Sequence, residues 1–132
     1  MMATPTNTEV VLGLRAALAS DDREVMASLV TDGIVLHVPG RHQTAGEYEG
    51  LDGLVAFAEA SRATGATIRS REVLDVLEGD EHVAVYCRIR GERPDRAPLD
   101  NVTLHLYRVE DGRVAEIWFH NRDQAVVDAF WS

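Results

Sequence analysis

The chain has 132 residues and a formal net charge of −9 at pH 7, with 22 acidic residues against 13 basic ones. This length fits one domain, and the acidic balance argues against nucleic acid and anionic membranes as partners, since both attract basic patches. Every basic residue is arginine, which excludes a catalytic lysine, and the lone Cys87 excludes an internal disulfide and a cysteine metal cluster. We predict a cytoplasmic protein, because no apolar run approaches the length of a membrane span and no targeting pattern is present.

Three helices are predicted in the first half of the chain. Thr6 and Glu9 have the spacing of a capping box, which marks the start of the first helix. The acid-rich segment 21–24 predicts the start of a second helix, which ends at Gly33. Asp52 is predicted to cap a third helix.

The remaining elements are predicted to be strands, apart from a terminal helix capped by Asp123. The pair Asp111-Gly112 favours a tight hairpin turn, because both residues tolerate positive φ. Helices kept apart from a curled antiparallel sheet define an α+β domain in which helices cover one face of the sheet. The predicted strands are 34–38, 67–77, 82–90 and the two arms of a hairpin at Leu99–Asn121, with a loop over residues 41–50.

The first strand of this hairpin has an unusual polar and aromatic face. Alternation in a strand sends successive side chains to opposite faces. A face with threonine, histidine and tyrosine in a row meets water or lines a cavity, and we predict a cavity beneath the helices. The two faces carry Asn101, Thr103, His105 and Tyr107 on one side, and Val102, Leu104 and Leu106 on the other.

Four short motifs follow one another along nearly the whole chain. They are Leu36-His37-Val38-Pro39-Gly40, Ala45-Gly46-Glu47-Tyr48-Glu49-Gly50, Gly112-Arg113-Val114 with Glu116-Ile117-Trp118, and Asp123-Gln124 to Phe130-Trp131. Together they resemble SnoaL-like proteins, a polyketide cyclase family of the nuclear transport factor 2-like superfamily. The resemblance implies one domain over residues 1–132 with an ordered core at about 8–131, a cone-shaped cystatin-like roll around an apolar pocket, and often a homodimer.

The enzymes of this superfamily make different demands on side chains. Ketosteroid isomerases use a tyrosine on the first helix and an aspartate on the hairpin strand, but the first helix has no tyrosine and residues 102–109 contain no acid. The epoxide hydrolases use an Asp-Arg-Asp set, for which only Arg88 and Glu116 are candidates. The cyclases match best, since their histidine corresponds to His105, although their aspartate position holds Phe119.

We therefore predict that His105 and His37 carry acid/base chemistry, because imidazole titrates near neutral pH. The alternative for each histidine is a structural role. In that case neighbouring side chains or water satisfy the hydrogen-bonding groups of His105, and loop backbone satisfies those of His37. For Arg88 the alternative is an ion pair with a surface acid, and for Trp118 it is packing near the terminal helix. We predict no metal and no cofactor, since the histidines lie on separate elements without a short paired spacing. The residues predicted to bind substrate are Tyr48, Tyr86, Arg88, Asn101, Thr103, Trp118 and Phe119.

Two functions follow from this pattern. The first is an isomerase-, cyclase- or dehydratase-like enzyme that acts on an apolar, carbonyl-bearing compound of polyketide or steroid type. The second is a non-catalytic ligand-binding or dimeric interaction module of the same fold, which Phe119 favours because a pocket without an acid/base pair still binds apolar ligands. The predicted partners are the small molecule and a second copy of the chain, with no nucleic acid and no membrane.

Overall fold

The first helix begins where the capping box predicts it. The Thr6 side chain accepts a hydrogen bond from the Glu9 backbone N–H at 3.1 Å, and the Glu9 carboxylate accepts one from the Thr6 N–H at 3.3 Å. The structure, a computed structural model, describes residues 4–132. Residues 1–3 of the predicted domain lie outside the described residues.

Within residues 4–132, four helices and six strands make up one domain of the predicted α+β class. In chain order they are α1 (Asn7–Ser20), α2 (Arg23–Leu29), β1 (Val30–Val38), β2 (Gly46–Glu49), α3 (Gly50–Ala63), β3 (Thr67–Glu78), β4 (His82–Glu92), β5 (Leu99–Glu110), β6 (Arg113–Asn121) and α4 (Gln124–Trp131). Within residues 4–132, no helix is both long and apolar enough to cross a membrane.

The observed strand pairing and helix boundaries correct three local predictions. Gly33 does not end α2, because it lies inside β1, which pairs with β6. The predicted loop 41–50 contains β2, which pairs with β1. Helix α3 begins at Gly50 after Glu49, so Asp52 lies in its first turn and is not its cap.

The six strands form one curved sheet in the order β2-β1-β6-β5-β4-β3. Every pairing is antiparallel except that of β1 with β6, so the sheet is mixed where we expected it to be antiparallel. Register shifts in β1, in β3 and near the end of β5 mark irregularities that bend and twist a sheet. The Asp111-Gly112 turn has φ values of 50° and 76°, as the predicted hairpin requires.

The helices cover one face of the sheet, which we call the inner face. Cross-strand partners share a face, so Val85, His105 and Phe119 define the inner face, and Ala84, Leu106 and Trp118 define the outer face. The main core joins inner-face residues of the sheet to α1, α2 and α3. A second cluster, in which Leu99 packs with Val127 and Phe130 of α4, closes the start of β5.

Candidate functional site

The polar row predicted on β5 is buried on the inner face. Asn101, Thr103, His105 and Tyr107 are each less than a tenth exposed, and they alternate with half-buried residues that face outward. The row lies opposite α1, α2 and α3, because its neighbours on β4 and β6 belong to the core shared with those helices. This arrangement confirms the predicted alternation and brings His105 to the interior.

His105 is held in one protonation state by Arg15 of α1. Its Nδ1 atom lies 3.1 Å from Nη1 of Arg15. A guanidinium can only donate, so Nδ1 accepts this hydrogen bond and the ring proton is on Nε2. Burial, followed by the charge of Arg15, lowers the pKa of His105 to about 3. The ring is therefore neutral at physiological pH, and it offers an N–H donor in place of a free basic nitrogen.

Arg15 also binds Tyr107, and this contact completes a polar cluster in the interior. Nη1 of Arg15 donates to the Tyr107 hydroxyl at 2.9 Å. Burial raises the pKa of Tyr107, so the phenol is protonated and its own O–H is a further donor. Burial also raises the pKa of the neighbouring Cys87 thiol, which keeps that group neutral. We call Arg15, His105 and Tyr107 the donor cluster.

Sequence analysis missed Arg15, although the pattern of α1 contains a signal for it. Arg15 lies four residues after Val11 and three before Leu18, which is the spacing of one helix face. Val11 is fully buried and Leu18 packs against the core, so this face points to the sheet. An arginine on the apolar face of a helix needs polar partners in the interior, which here come from β5.

Aromatic rings form the wall beside the donor cluster. The Phe119 ring stacks on His105 with centroids 4.0 Å apart, and Phe57 of α3 meets Phe119 edge-on at 5.9 Å. Tyr48 meets Phe57 at 5.2 Å and donates its hydroxyl proton to the Thr44 carbonyl at 2.8 Å. Two predicted ligand residues, Tyr48 and Phe119, therefore lie on the same side of the sheet as His105.

The other two polar residues of the row bind their own protein partners. Thr103 donates to the carbonyl of His120 at 3.2 Å. Asn101 donates to the Asn121 side chain at 2.9 Å, and Asn121 donates in turn to Gln124 of α4 at 2.9 Å. These contacts tie β5 and β6 to α4, and they stand on the inner face beside the donor cluster.

His37 lies on the outer face, so the prediction that it shares a site with His105 is corrected. Its Nε2 atom is 2.6 Å from a Glu116 carboxylate oxygen, and its Nδ1 atom is 3.2 Å from Glu47. The ring stacks on Trp118, with centroids 5.6 Å apart. The reason is the register, since His37 pairs with Trp118 whereas His105 pairs with Phe119, one residue further along β6.

Tyr86, Arg88 and Trp118 are also outer-face residues, which corrects their placement in the His105 site. Tyr86 is 38% exposed, and Arg88 donates to Asp100 on β5 at 2.6 Å, the surface pair that was the alternative for this residue. Both alternate along β4 with residues that face inward, so strand geometry turns them outward. Trp118 packs on His37 rather than near the terminal helix.

Two surface clefts within residues 4–132 lie away from the donor cluster. One, of about 360 Å³, is lined by residues of the β5–β6 turn and Glu81. The other, of about 480 Å³, lies between the start of β3 and the loop from Arg93 to Pro98. Neither cleft is the cavity that we predicted beneath the helices. Beside His105, the interior is occupied by the ring of Phe119.

Comparison with known proteins adds the family. The model of the SnoaL-like domain matches residues 11–117. The uncharacterized protein Rv0034 of Mycobacterium tuberculosis is 29% identical over 134 residues, which span 99% of this chain and 100% of the relative. The structure of Bal32a, from a soil-derived mobile gene cassette, is 29% identical over 96% of both chains with a TM-score of 0.85. IdmH of Streptomyces antibioticus, a proposed polyketide cyclase, is 23% identical over 92% of this chain and 94% of its own, and its TM-score of 0.69 shows a shared fold. The chain belongs to the SnoaL-like family.

Proposed function

We propose that the protein binds an apolar, carbonyl-bearing small molecule at the inner face and acts on it as an isomerase-, cyclase- or dehydratase-like enzyme. The observation that carries this proposal is His105, a buried neutral imidazole whose Nδ1 atom is occupied by Arg15. Aromatic rings beside it suit the apolar part of a ligand. Membership of a family that includes proposed polyketide cyclases supports the same class of reaction.

The chemistry proposed for His105 is that of a donor to oxygen. Its Nε2–H points away from Arg15, because Nδ1 faces that residue. A carbonyl oxygen held by this N–H gains negative charge when a proton passes from the neighbouring carbon to a water molecule, since the donor cluster has no free base, and the donor stabilises that charge. The low pKa of His105 opposes proton transfer by this residue at neutral pH, either as base or as imidazolium acid, so its proposed role is that of a hydrogen-bond donor.

A substitution series at His105 tests this proposal. A thermal-shift screen of cyclic ketones and polyketide-like carbonyl compounds is expected to find ligands, which are then followed for product. His105→Ala is expected to lower turnover by about 100-fold, the typical loss of one oxyanion donor, whereas His105→Gln, which restores an N–H donor, recovers part of it. His120→Ala changes an exposed histidine and serves as the control. Turnover that is unchanged in His105→Ala would refute the role of this residue.

A non-catalytic binding module is the second candidate, and Phe119 is the observation that favours it. Phe119 packs on His105 at the position where the cyclases carry an aspartate, and a phenyl ring moves no proton. Ligands that bind at the inner face without forming product, in the wild type and in Phe119→Asp, would support this candidate over the enzyme.

We also propose that the protein is a homodimer that uses the outer face of its sheet. The cross-strand register lines up an apolar row over β3, β4, β5 and β6, and no helix of the described residues belongs to it. Leu77 is the most exposed residue of this row, with 54% of its surface accessible. The row consists of Leu77, Ala84, Leu106 and Trp118. A second copy of the same face would bury it, since exposed apolar patches mark interaction surfaces.

The acidic charge of the chain supports a protein that acts without nucleic acid or a membrane surface. A lone buried cysteine suits a reducing compartment, so we propose that the protein is cytoplasmic.

A further inference from the structure

Arg15 is a charged residue of the interior without a carboxylate partner. Its hydrogen-bond partners within residues 4–132 are neutral, namely Nδ1 of His105 at 3.1 Å, the Tyr107 hydroxyl at 2.9 Å and the Cys87 thiol. Five of the other twelve arginines, all on the surface, have carboxylate partners within 4.0 Å. They are Arg23 with Glu59, Arg69 with Glu92, Arg88 and Arg90 with Asp100, and Arg108 with Glu110 and Glu116.

A second cation on the same face adds to this positive charge. Arg71 of β3 pairs with Ile89 of β4, an inner-face position two residues from Cys87. Partial burial of its guanidinium, followed by the charge of Arg15, lowers the pKa of Arg71. Among the described residues, Arg71 also has no carboxylate within 4.0 Å. Two guanidinium groups, of half-buried Arg15 and exposed Arg71, therefore place positive charge beside the donor cluster without a carboxylate.

The contacts of Arg15 leave one edge of its guanidinium open. Both described hydrogen bonds use Nη1, which carries two protons and is thereby fully engaged. The N–H groups of Nε and Nη2 make no hydrogen bond to nitrogen or oxygen within residues 4–132, and the guanidinium also makes a weak hydrogen bond to the Cys87 thiol. This edge presents two parallel N–H groups, the geometry that binds the two oxygens of a carboxylate.

His105 contributes a donor on the same cluster. Its Nε2 has no hydrogen-bond partner within residues 4–132. Among those residues, the only side-chain nitrogen or oxygen that is both fully buried and without a partner is His42 Nε2. The Nε2 atom of His105 therefore keeps some accessible surface. Together with the Arg15 edge, it forms a site with donors and no acceptor. Such a site favours an anionic oxygen over a neutral polar group.

We propose that the ligand of the inner face is an anion, an otherwise apolar compound whose carboxylate or acidic enol binds the open edge of Arg15, with Arg71 as the second cation. This inference rests on the proposed function and specifies its ligand class. Arg15 thereby has two roles, since Nη1 fixes the tautomer of His105 and the opposite edge anchors the ligand. An anion also supplies the negative charge that the interior lacks.

Matched acids and amides test the charge of the ligand. The probes are 1-naphthoate, 4-phenylbutyrate and cyclohexanecarboxylate, each beside its primary amide, which is nearly isosteric and uncharged. Binding is followed by calorimetry and by NMR of the His105 ring and the Arg15 side chain in wild-type protein. At least one carboxylate is expected to bind ten-fold or more tightly than its amide and to shift both sets of resonances.

Three variants locate the binding. Arg15→Gln is expected to weaken carboxylate binding by ten-fold or more and to weaken amide binding by a smaller factor, since it also frees Nδ1 of His105, and Arg15→Lys is expected to recover part of the loss of carboxylate binding. Arg69→Gln removes an exposed arginine from the same strand as Arg71 and is the control, with no expected effect. Unfolding curves confirm that each variant is folded, and the wild-type comparison needs no variant.

The outcomes separate this inference from the proposed function. An amide that binds as tightly as its acid, with shifts at His105, would overturn the anionic class and leave the small-molecule site standing. Carboxylate binding that leaves the His105 and Arg15 resonances unmoved, or that survives Arg15→Gln, would overturn the role of Arg15. If no acid and no amide of the panel binds, the anionic class and the proposed inner-face site fall together.

Discussion

His105 behaves unlike an ordinary histidine because it is buried and because a guanidinium occupies one of its nitrogens. Arg15 cannot accept a proton, so it dictates the tautomer of the ring and opposes a second positive charge. The same imidazole in water titrates near 6.5 and is both donor and base. The chemistry of this residue is therefore decided by a neighbour 90 positions away in the chain.

This environment predicts how stability depends on pH. The folded pKa of His105 is about 3, below its ordinary value of 6.5, so the unfolded chain takes up a proton that the folded chain refuses between these values. Stability is therefore expected to fall as pH decreases through this range, with a contribution of up to about 1.4 kcal/mol per pH unit.

His105→Gln checks this contribution. The free energy of unfolding is measured by urea titration for the wild type and the variant between about pH 7 and about pH 4. The wild type is expected to lose more stability than His105→Gln as pH falls. His120→Gln, at an exposed histidine, is expected to follow the wild type, and parallel curves for all three proteins would show that His105 titrates normally.

At the scale of elements, the loop after β1 is joined closely to α4. Gln124 donates to the carbonyl of Pro39 at 3.2 Å, and Asp128 accepts from the backbone N–H of Arg41 at 3.2 Å. Gly40 has φ of 110° and lies against both α4 side chains. Because Gln124 also holds the network to Asn101, the loop, α4 and the inner face share one set of hydrogen bonds.

Gly40→Ala is expected to destabilise the fold by about 2 kcal/mol or more, since a side chain there adopts a left-handed φ and also collides with Gln124 and Asp128. Gly46→Ala is the matched control, because Gly46 has φ of 139° with open space around it. Urea unfolding measures both variants. Equal losses would mean that backbone strain alone accounts for the effect and that the loop does not pack against α4 as described.

The amino-terminal cap orients the helix that carries Arg15. Thr6→Ala removes one half of the capping box and is expected to cost about 1 kcal/mol of stability. Thr6→Ser keeps a hydroxyl acceptor and is expected to lose only a fraction of this, again by urea unfolding. A full loss in Thr6→Ser would indicate that the methyl group, and not the hydrogen bond, matters.

At the scale of the whole molecule, the two faces of the sheet differ in what covers them. The inner face is covered by helices and holds the donor cluster, whereas the outer face exposes the apolar row that we propose for dimerisation. His37 and its carboxylate partners border this row through Trp118. The residues predicted as one site are thereby divided between the two faces of the sheet.

Leu106→Glu tests the association face. A carboxylate in the middle of the apolar row is expected to convert a dimer into a monomer, because burying an unpaired charge costs more than the contact gains. Size-exclusion chromatography with light scattering measures the mass. Leu12→Glu changes an exposed leucine of α1 and is expected to keep the dimer. A wild-type protein that is monomeric at high concentration would refute the homodimer.

Much of the local structure follows from the sequence. The capping box at Thr6, the Asp111-Gly112 turn and the alternation of β5 are each set by neighbouring residues, and all three are as predicted. Local signals failed where pairing outweighed them, as at Gly33 inside β1. The family motifs, too, depend on order along the chain and were recognisable without coordinates.

The sequence by itself determined which residues alternate within each strand, and hence that Asn101, Thr103, His105 and Tyr107 share a face. It could not determine how one strand is phased against the next. Only the tertiary structure decided that His37 pairs with Trp118 and His105 with Phe119, which sends the two histidines to opposite faces. The physical reason is that alternation is a property of neighbouring residues, whereas register and the approach of Arg15 are contacts between distant parts of the chain.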